Sequence, residues 1–141
     1  MNISNFKNPF FIGVAGVGMS AIAQYLQGIG MQVSGSDRYF HEGEYNKTKE
    51  QLENEGIKCF LQDGSGITAE TDLVVVSTAI EDTVYEVKKA KELGIPIIKR
   101  SQLLAMIAKS KKTIAVAGTS GKSTTSAMLF QILLDAGLEP S

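Results

Sequence analysis

Short apolar runs of β type alternate with longer segments of helical period along this chain, and that alternation restricts the fold more than any other feature of the sequence. Strands are expected at residues 10–15, 32–36, 57–61, 73–76 and 95–98. The first is followed by a helix carrying Met19, Ile22, Ala23, Leu26 and Ile29 on one face, and the second by a mostly charged helix over 45–55. Val84, Val87, Ala90 and Leu93 mark a third helix, and a short helix over 101–108 follows the fifth strand. Gly28 with Gly30, Gly56 and Gly94 stand where helices should stop. The run Leu73-Val74-Val75-Val76 is continuous and not alternating, which suits a central strand covered on both faces, whereas Pro96 points the fifth strand toward a sheet edge. Right-handed crossovers and short connections leave few arrangements for such units. The expected fold is α/β: a Rossmann-like open parallel sheet of order 3-2-1-4-5 with helices on both faces.

The run Lys109-Ser110-Lys111-Lys112 interrupts this pattern and reads as a solvated helix end and linker. Beyond it a strand is expected over 113–117, then a glycine turn, then a helix over 123–135 closed by Gly137. Residues 1–108 therefore form one expected domain, and 109–141 a linker and the start of a second. A single βα unit cannot bury both faces of its strand, so this piece should either add to the first sheet or open a further domain.

Composition removes several classes. With 43% hydrophobic and 21% charged residues the chain has enough apolar material for a core, and disorder is excluded. A net charge of -1, with no basic stripe interleaved with aromatics, gives no support to a nucleic-acid partner or a polybasic membrane contact. No apolar run approaches the roughly 18 residues of a membrane span, and the first residues lack the order of a signal peptide. The lone Cys59, in the apolar stretch Ile57-Lys58-Cys59-Phe60-Leu61, reads as a small buried hydrophobe, and the expected location is cytoplasmic. His41 has no Cys or His partner at ligand spacing and is expected at the surface; Met19, Met31, Met106 and Met128 are expected in the core.

The segment from Gly13 to Ser20 joins the first strand to the first helix. Such a turn uses glycine so that backbone N–H groups can approach a phosphate, and it places the anion on the positive end of a helix. Against G-x-G-x-x-G, Gly13 and Gly18 match, but Ala15 stands at the second position. Asp37 ends the second strand nineteen residues after Gly18, close to the roughly 20-residue spacing of an acid that holds a ribose hydroxyl. The alternative is an Asx turn or a helix cap. Ser77 and Thr78 follow the fourth strand at the edge where open α/β sheets bind ligands, so they are candidate hydrogen-bond donors, or plain strand ends. A ligand-sized cleft is expected at this carboxyl edge and not at the opposite one.

A second glycine turn, Ala117-Gly118-Thr119-Ser120-Gly121-Lys122-Ser123-Thr124-Thr125, also follows an apolar run and opens a helix. The pattern G-x-x-x-x-G-K-[ST] would require glycine where Val116 stands, so this is a shortened phosphate loop. Its mechanism survives: amides from Thr119 to Ser123 can wrap a triphosphate, Lys122 can reach β and γ oxygens, and Ser123 or Thr124 can ligate Mg²⁺. An exposed lysine without an anion would oppose the helix dipole there.

Both loops together, with Val33-Ser34-Gly35-Ser36-Asp37, Val74-Val75-Val76-Ser77-Thr78-Ala79-Ile80 and Pro96-Ile97-Ile98-Lys99-Arg100 between them in order, resemble the Mur ligase family of peptidoglycan synthesis over nearly the whole chain. The resemblance implies a three-domain enzyme that binds a UDP-sugar in its N-terminal domain and ATP in its central one. In that picture Ala15, Gly16, Val17, Gly18, Met19 and Ser20 meet the UDP pyrophosphate, Asp37 lies toward the uridine, and Ser77, Thr78 and Ala79 contact the nucleotide sugar. Gly118, Thr119, Ser120, Gly121, Lys122, Ser123 and Thr124 would hold ATP, with Lys122 as the catalytic cation and Mg²⁺ on Ser123 and Thr124. The implied reaction phosphorylates the carboxylate of UDP-N-acetylmuramate, or a related UDP-sugar, to an acyl phosphate. The amine of an amino acid, L-alanine being the expected one, then attacks it to give an amide.

The sequence departs from the family pattern at Ala15, at Ser120 where histidine is usual, at Ser123 where threonine is common, and after Ile80, where Glu81-Asp82-Thr83-Val84-Tyr85-Glu86 lacks the usual Asn-Pro-Glu. A paralogue with another substrate stays open on these grounds. So do an NAD(P)-binding domain of an oxidoreductase, which leaves Lys122 without a role, and a non-catalytic nucleotide-sensing module. Residues 1–141 alone are expected not to ligate, since one loop supplies only part of the charge that phosphoryl transfer needs.

Overall fold

The computed structural model describes residues 2–77 and 84–140. They divide into two compact units, on either side of the junction between Ser110 and Lys111.

In the first unit the expected sheet forms. Strands β1 (Pro9–Ile12), β2 (Ser34–Ser36), β3 (Lys58–Phe60), β4 (Leu73–Val76) and β5 (Ile97–Lys99) are all parallel, in the order β3-β2-β1-β4-β5. Helices α1 (Val17–Gly28), α2 (Lys47–Asn54), α3 (Tyr85–Glu92) and α4 (Arg100–Ser110) accompany them. Alternation along β1 sends Phe11 to one face and Phe10 with Ile12 to the other. Phe11 packs with Met19, Ile22, Ala23 and Leu26 of α1, Leu52 of α2 and Leu103 of α4. Phe10 and Ile12 pack with Val87 and Ala90 of α3 and with Ile67. The crossover helices thus change face between the two halves, α1 and α2 on the Phe11 side and α3 on the Phe10 side, while α4 beyond β5 returns to the Phe11 side. The topological switch point lies between the carboxyl ends of β1 and β4.

No helix connects β3 to β4. The chain from 61 to 72 crosses the Phe10 face as an irregular segment, and Gly66 makes this possible: a Cβ there would lie 2.6 Å from both Phe10 Cε2 and Phe60 Cγ. The segment is pinned at both ends. Buried Glu86 of α3 accepts the Gly64 amide at 3.3 Å while Lys89 Nζ donates to the Gly64 carbonyl at 2.8 Å. At the far end Asp72 accepts the amides of Lys7 and Asn8 at 2.6 and 3.0 Å, fixing the entry to β1.

Several expected boundaries shift for local reasons. β1 stops at Ile12 and not at 15, because Gly13 turns with φ +83° and the amides of Gly13 and Val14 both donate to Ser36 O. The first two residues expected in β2, and those at either end of the expected β3, pair with nothing as strand. Asn46 accepts the Lys49 amide at 3.0 Å and caps α2, which therefore starts at Lys47, two residues after Tyr45. Ile95 ends the α3 turn by donating to Ala90 O, so β5 begins at Ile97, on the edge that Pro96 suggested. Ile29 and Leu93, expected on core faces, are C-cap residues at 52% and 48% exposure. His41 is exposed, and Met31 and Met106 pack at the margin of the core.

Cys59 is half-buried against the α1 face, and its thiol is pushed up to about 12, first by burial and then by the Glu53 and Asp37 carboxylates against the opposing pull of Lys49. It stays protonated through the neutral range.

In the second unit, helix α5 (Lys122–Asp135) forms, and Gly137 turns at its end with φ +76°. The strand expected over 113–117 does not: the segment joins no sheet, since a strand without a neighbour has no ladder to form. No residue of α5 is buried, and Met128, expected in the core, is 62% exposed. Among the described residues no helix is long and apolar enough to cross a membrane.

Candidate functional site

The carboxyl ends of β1, β2 and β4 bring the first glycine loop, Asp37 and Ser77 to one edge of the first unit. The loop has a defined hydrogen-bond economy. Gly16 O accepts the amides of Met19 and Ser20 at 2.9 and 2.8 Å, and Ser20 Oγ donates to Val17 O at 3.1 Å. Met19 turns its side chain into the core, so only its backbone faces the loop side. The amides of Val17 and Gly18, the first two residues of α1, donate to nothing among the described residues, which is the state in which a helix start receives an anion.

Asp37 is 4% exposed, and both of its oxygens are occupied. Oδ2 accepts the Ala15 amide at 2.9 Å and Oδ1 the Tyr39 amide at 3.1 Å. The second contact is an Asx turn. The first ties the loop after β1 to the end of β2. Asp37→Ala should therefore loosen the loop itself, lowering stability by about 2 kcal/mol in chemical denaturation, because two amides lose a charged acceptor. A variant as stable as the parent would show that water replaces the carboxylate without loss.

Ser77 follows β4 directly and is half-buried; Thr78 and Ala79 lie outside the described residues. One residue that sequence reasoning did not assign to the site reaches the same loop. Arg100, the first residue of α4 beyond β5, lays its guanidinium against Gly18: a Cβ on Gly18 would sit 2.6 Å from Arg100 Nη1 and 3.2 Å from Cζ. The segment from Pro96 to Arg100 was noticed only as part of a pattern, and nothing local in it announces a reach across β4.

Away from the carboxyl edge, where a ligand-sized cleft was expected, a cleft of about 410 Å³ opens at the amino edge among Asn8, Gln32, Ser34, Lys58 and Glu70. Gly30 and Gly56, just past the carboxyl ends of α1 and α2, also line it. Two negative helix ends and Glu70 against the single cation Lys58 make it unsuited to a diphosphate.

In the second unit Gly121 adopts φ +77° immediately before α5, a left-handed conformation open to glycine, and Gly118 has φ +151°. Lys122 Nζ folds back on the turn and donates to Gly118 O at 2.7 Å and Thr119 O at 3.3 Å. Gly118 through Thr124 are all exposed.

A doubly wound parallel sheet with a glycine turn at its switch point defines the nucleotide-binding class of α/β domains. The match to known proteins is narrower: residues 10–112 fit the family model described as Mur ligase family, catalytic domain, and the chain belongs to the Mur ligase family. It is 40% identical over 135 residues to a UDP-N-acetylmuramate--L-alanine ligase of Dichelobacter nodosus, and 45% identical over 131 residues to one of Carboxydothermus hydrogenoformans. These alignments cover 96% and 92% of this chain but 27% of each relative, so the chain spans about a quarter of the length of the curated relatives it matches. Among solved structures, a UDP-N-acetylmuramate-alanine ligase from Thermotoga maritima superposes with a TM-score of 0.77 at 30% identity, covering 92% of this chain and 29% of that one. A UDP-N-acetylmuramate:L-alanyl-gamma-D-glutamyl-meso-diaminopimelate ligase from Neisseria meningitides gives 0.78 at 30% identity, covering 94% and 40%.

Proposed function

We propose that residues 1–108 form the UDP-sugar-binding domain, and 109–141 the linker and opening of the ATP-binding domain, of a cytoplasmic ATP-dependent ligase that joins L-alanine to UDP-N-acetylmuramate. The observation that carries this reading is the free pair of amides at Val17 and Gly18 on the switch point of a sheet whose relatives are named for that reaction. Gly16 to Ser20 would take the pyrophosphate through their backbone. Asp37 would act by holding Ala15 in place and not by touching the ribose, since both its oxygens are occupied. Ser77, Thr78 and Ala79 would meet the sugar side of the nucleotide.

The second turn fits a triphosphate. Lys122 already lies over the turn, held by two carbonyls that phosphate oxygens can replace, and Gly118 and Gly121 supply positive φ angles that side chains rarely adopt. Gly118 to Thr124 would hold ATP, with the hydroxyls of Ser123 and Thr124 available to Mg²⁺. ATP supplies the phosphoryl group that activates the substrate carboxylate for attack by the amine.

Calorimetric titration of this chain with UDP-N-acetylmuramate and with NAD separates the proposal from an oxidoreductase domain. Binding of the UDP-sugar with no heat from NAD is the expected result; the reverse order would overturn the proposal. The resemblance to the peptide-ligating enzyme of Neisseria meningitides favours a second reading, in which the amine donor is a peptide. Ligation assays on the longer protein with L-alanine and with L-alanyl peptides decide between them.

A further inference from the structure

We propose that the cleft at the amino edge binds a small zwitterion, a free α-amino acid or a short unblocked peptide, with the ligand carboxylate on Lys58 and Gln27 and its ammonium on Glu70 and Asn8. The inference is independent of how the two glycine loops are read.

The cleft exists because β3 and β4 are joined without a helix. Ser34 and Lys58 are register partners at the start of β2 and β3. The 61–72 segment, drawn onto Phe10 and Phe60 at Gly66, leaves about 410 Å³ open beside them, a volume within the range of small-molecule sites. Nothing reaches in from the helix ends to fill it, because Gly30 and Gly56, which line it there, turn with φ +94° and +89° and carry no side chain.

The polar groups of the cleft are sorted by type. On the β3 side stand donors. Lys58 is exposed and makes no ion pair among the described residues. Gln27 Oε1 accepts the Val33 amide at 3.0 Å, which leaves Nε2 next to Gly56, where a Cβ would sit 2.9 Å from it; Nε2 donates to nothing among the described residues. On the β1–β4 side stand acceptors. The Glu70 carboxylate is exposed and has no ion pair or hydrogen bond among the described residues. Asn8 Nδ2 donates to Glu70 O at 3.0 Å, which leaves Oδ1 as an acceptor beside that residue.

Lys58 and Glu70 thus line one cleft without neutralising each other, and a ligand carrying both charges satisfies both ends at once. The last carbonyls of α1 and α2 are taken by the capping amides of Gly30, Met31, Gly56 and Ile57, so these helix ends add a diffuse negative field and no directed acceptor. That field disfavours an anion that lacks an ammonium. Met31 and Phe60, both partly buried, give the lining an apolar patch for an aliphatic side chain.

NMR titration of the labelled chain with L-alanine, L-alanyl-L-alanine, the dipeptide amide and the N-acetyl dipeptide tests the proposal. The unblocked ligands should shift the backbone amides of Ser34, Lys58 and Thr71 and bind more tightly than either blocked form. Tighter binding of the dipeptide than of L-alanine, or the reverse, supports the site equally and fixes the ligand's length. Lys58→Ala should weaken the dipeptide by roughly threefold to tenfold, the range for a charge-assisted contact partly open to water, and leave its amide unchanged. Glu70→Gln should weaken the dipeptide similarly and leave the N-acetyl form unchanged. Thermal melts establish that the variants fold, and Lys58→Gln serves if Lys58→Ala does not. Absence of shifts at these amides at millimolar ligand overturns the proposal. So do blocked forms that bind as well as the free dipeptide, or a Lys58→Ala variant that weakens the free dipeptide and its amide alike.

Discussion

Gly35→Ala is expected to lower the stability of the first unit by roughly 3 kcal/mol, read as a shift in the midpoint of urea denaturation at unchanged slope. Gly35 pairs with Phe11 in the β1–β2 ladder and with Cys59 on the other side, so its backbone is held from both edges. A Cβ would point to the α1 face, 2.6 Å from Phe11 O and 2.8 Å from Val14 Cβ. Neither obstacle can swing away. Phe11 O belongs to the neighbouring strand, and Val14 is fully buried beneath the glycine loop. Relief requires β1 and β2 to separate, and with them the anchor that Ser36 O gives to Gly13 and Val14. The Ser-Gly-Ser-Asp segment thus earns its glycine through packing. A variant within 1 kcal/mol of the parent would mean that the strands slide apart at far lower cost than close-packed interiors allow.

Lys122→Ala, made in the longer protein, should reduce ATP-dependent ligation by roughly a hundredfold to a thousandfold in kcat, the loss associated with one preorganised donor to developing charge. Release of inorganic phosphate measures it. The same variant should leave UDP-sugar affinity intact, because Lys122 and the first glycine loop belong to separate units. The structure adds a reason for a large effect: the ammonium is already seated on Gly118 O and Thr119 O, so its removal also takes away two hydrogen bonds that shape the turn. Ligation within threefold of the parent would show that the loop has another role.

Features legible in the sequence were those that nearest neighbours dictate. The unbroken run at β4 gave its strand to the residue, and apolar spacing identified the buried face of α1 from Met19 to Leu26. The strand order followed from handedness and short connections. What escaped depended on contacts between distant segments. Whether Asp37 faced a ligand or the protein was undecidable from spacing, since the Ala15 amide comes from a different strand end. Arg100 was passed over because its partner, Gly18, is far away in sequence. The strand at 113–117 and the burial of Met128 failed for the opposite reason: local pattern was right for a βα unit, but a strand and a helix face require neighbours, and the described residues supply none.

The pairing of β1 with β4 bears on how the molecule folds. These two strands lie side by side at the centre of the sheet, yet the Asp72 contacts that align them span 64 and 65 residues of chain. Closing so long a loop costs entropy before any contact rewards it, and the cost grows only slowly with length, so the delay falls on search and not on final stability. The β1–α1–β2–α2–β3 half can assemble from neighbours, but its Phe10 face stays open to water until β4 docks and the 61–72 segment closes over it. Formation of the β1–β4 ladder is accordingly expected to limit the folding rate, with the switch point among the last parts of the sheet to form; a stopped-flow refolding rate unchanged by Asp72→Ala would contradict this.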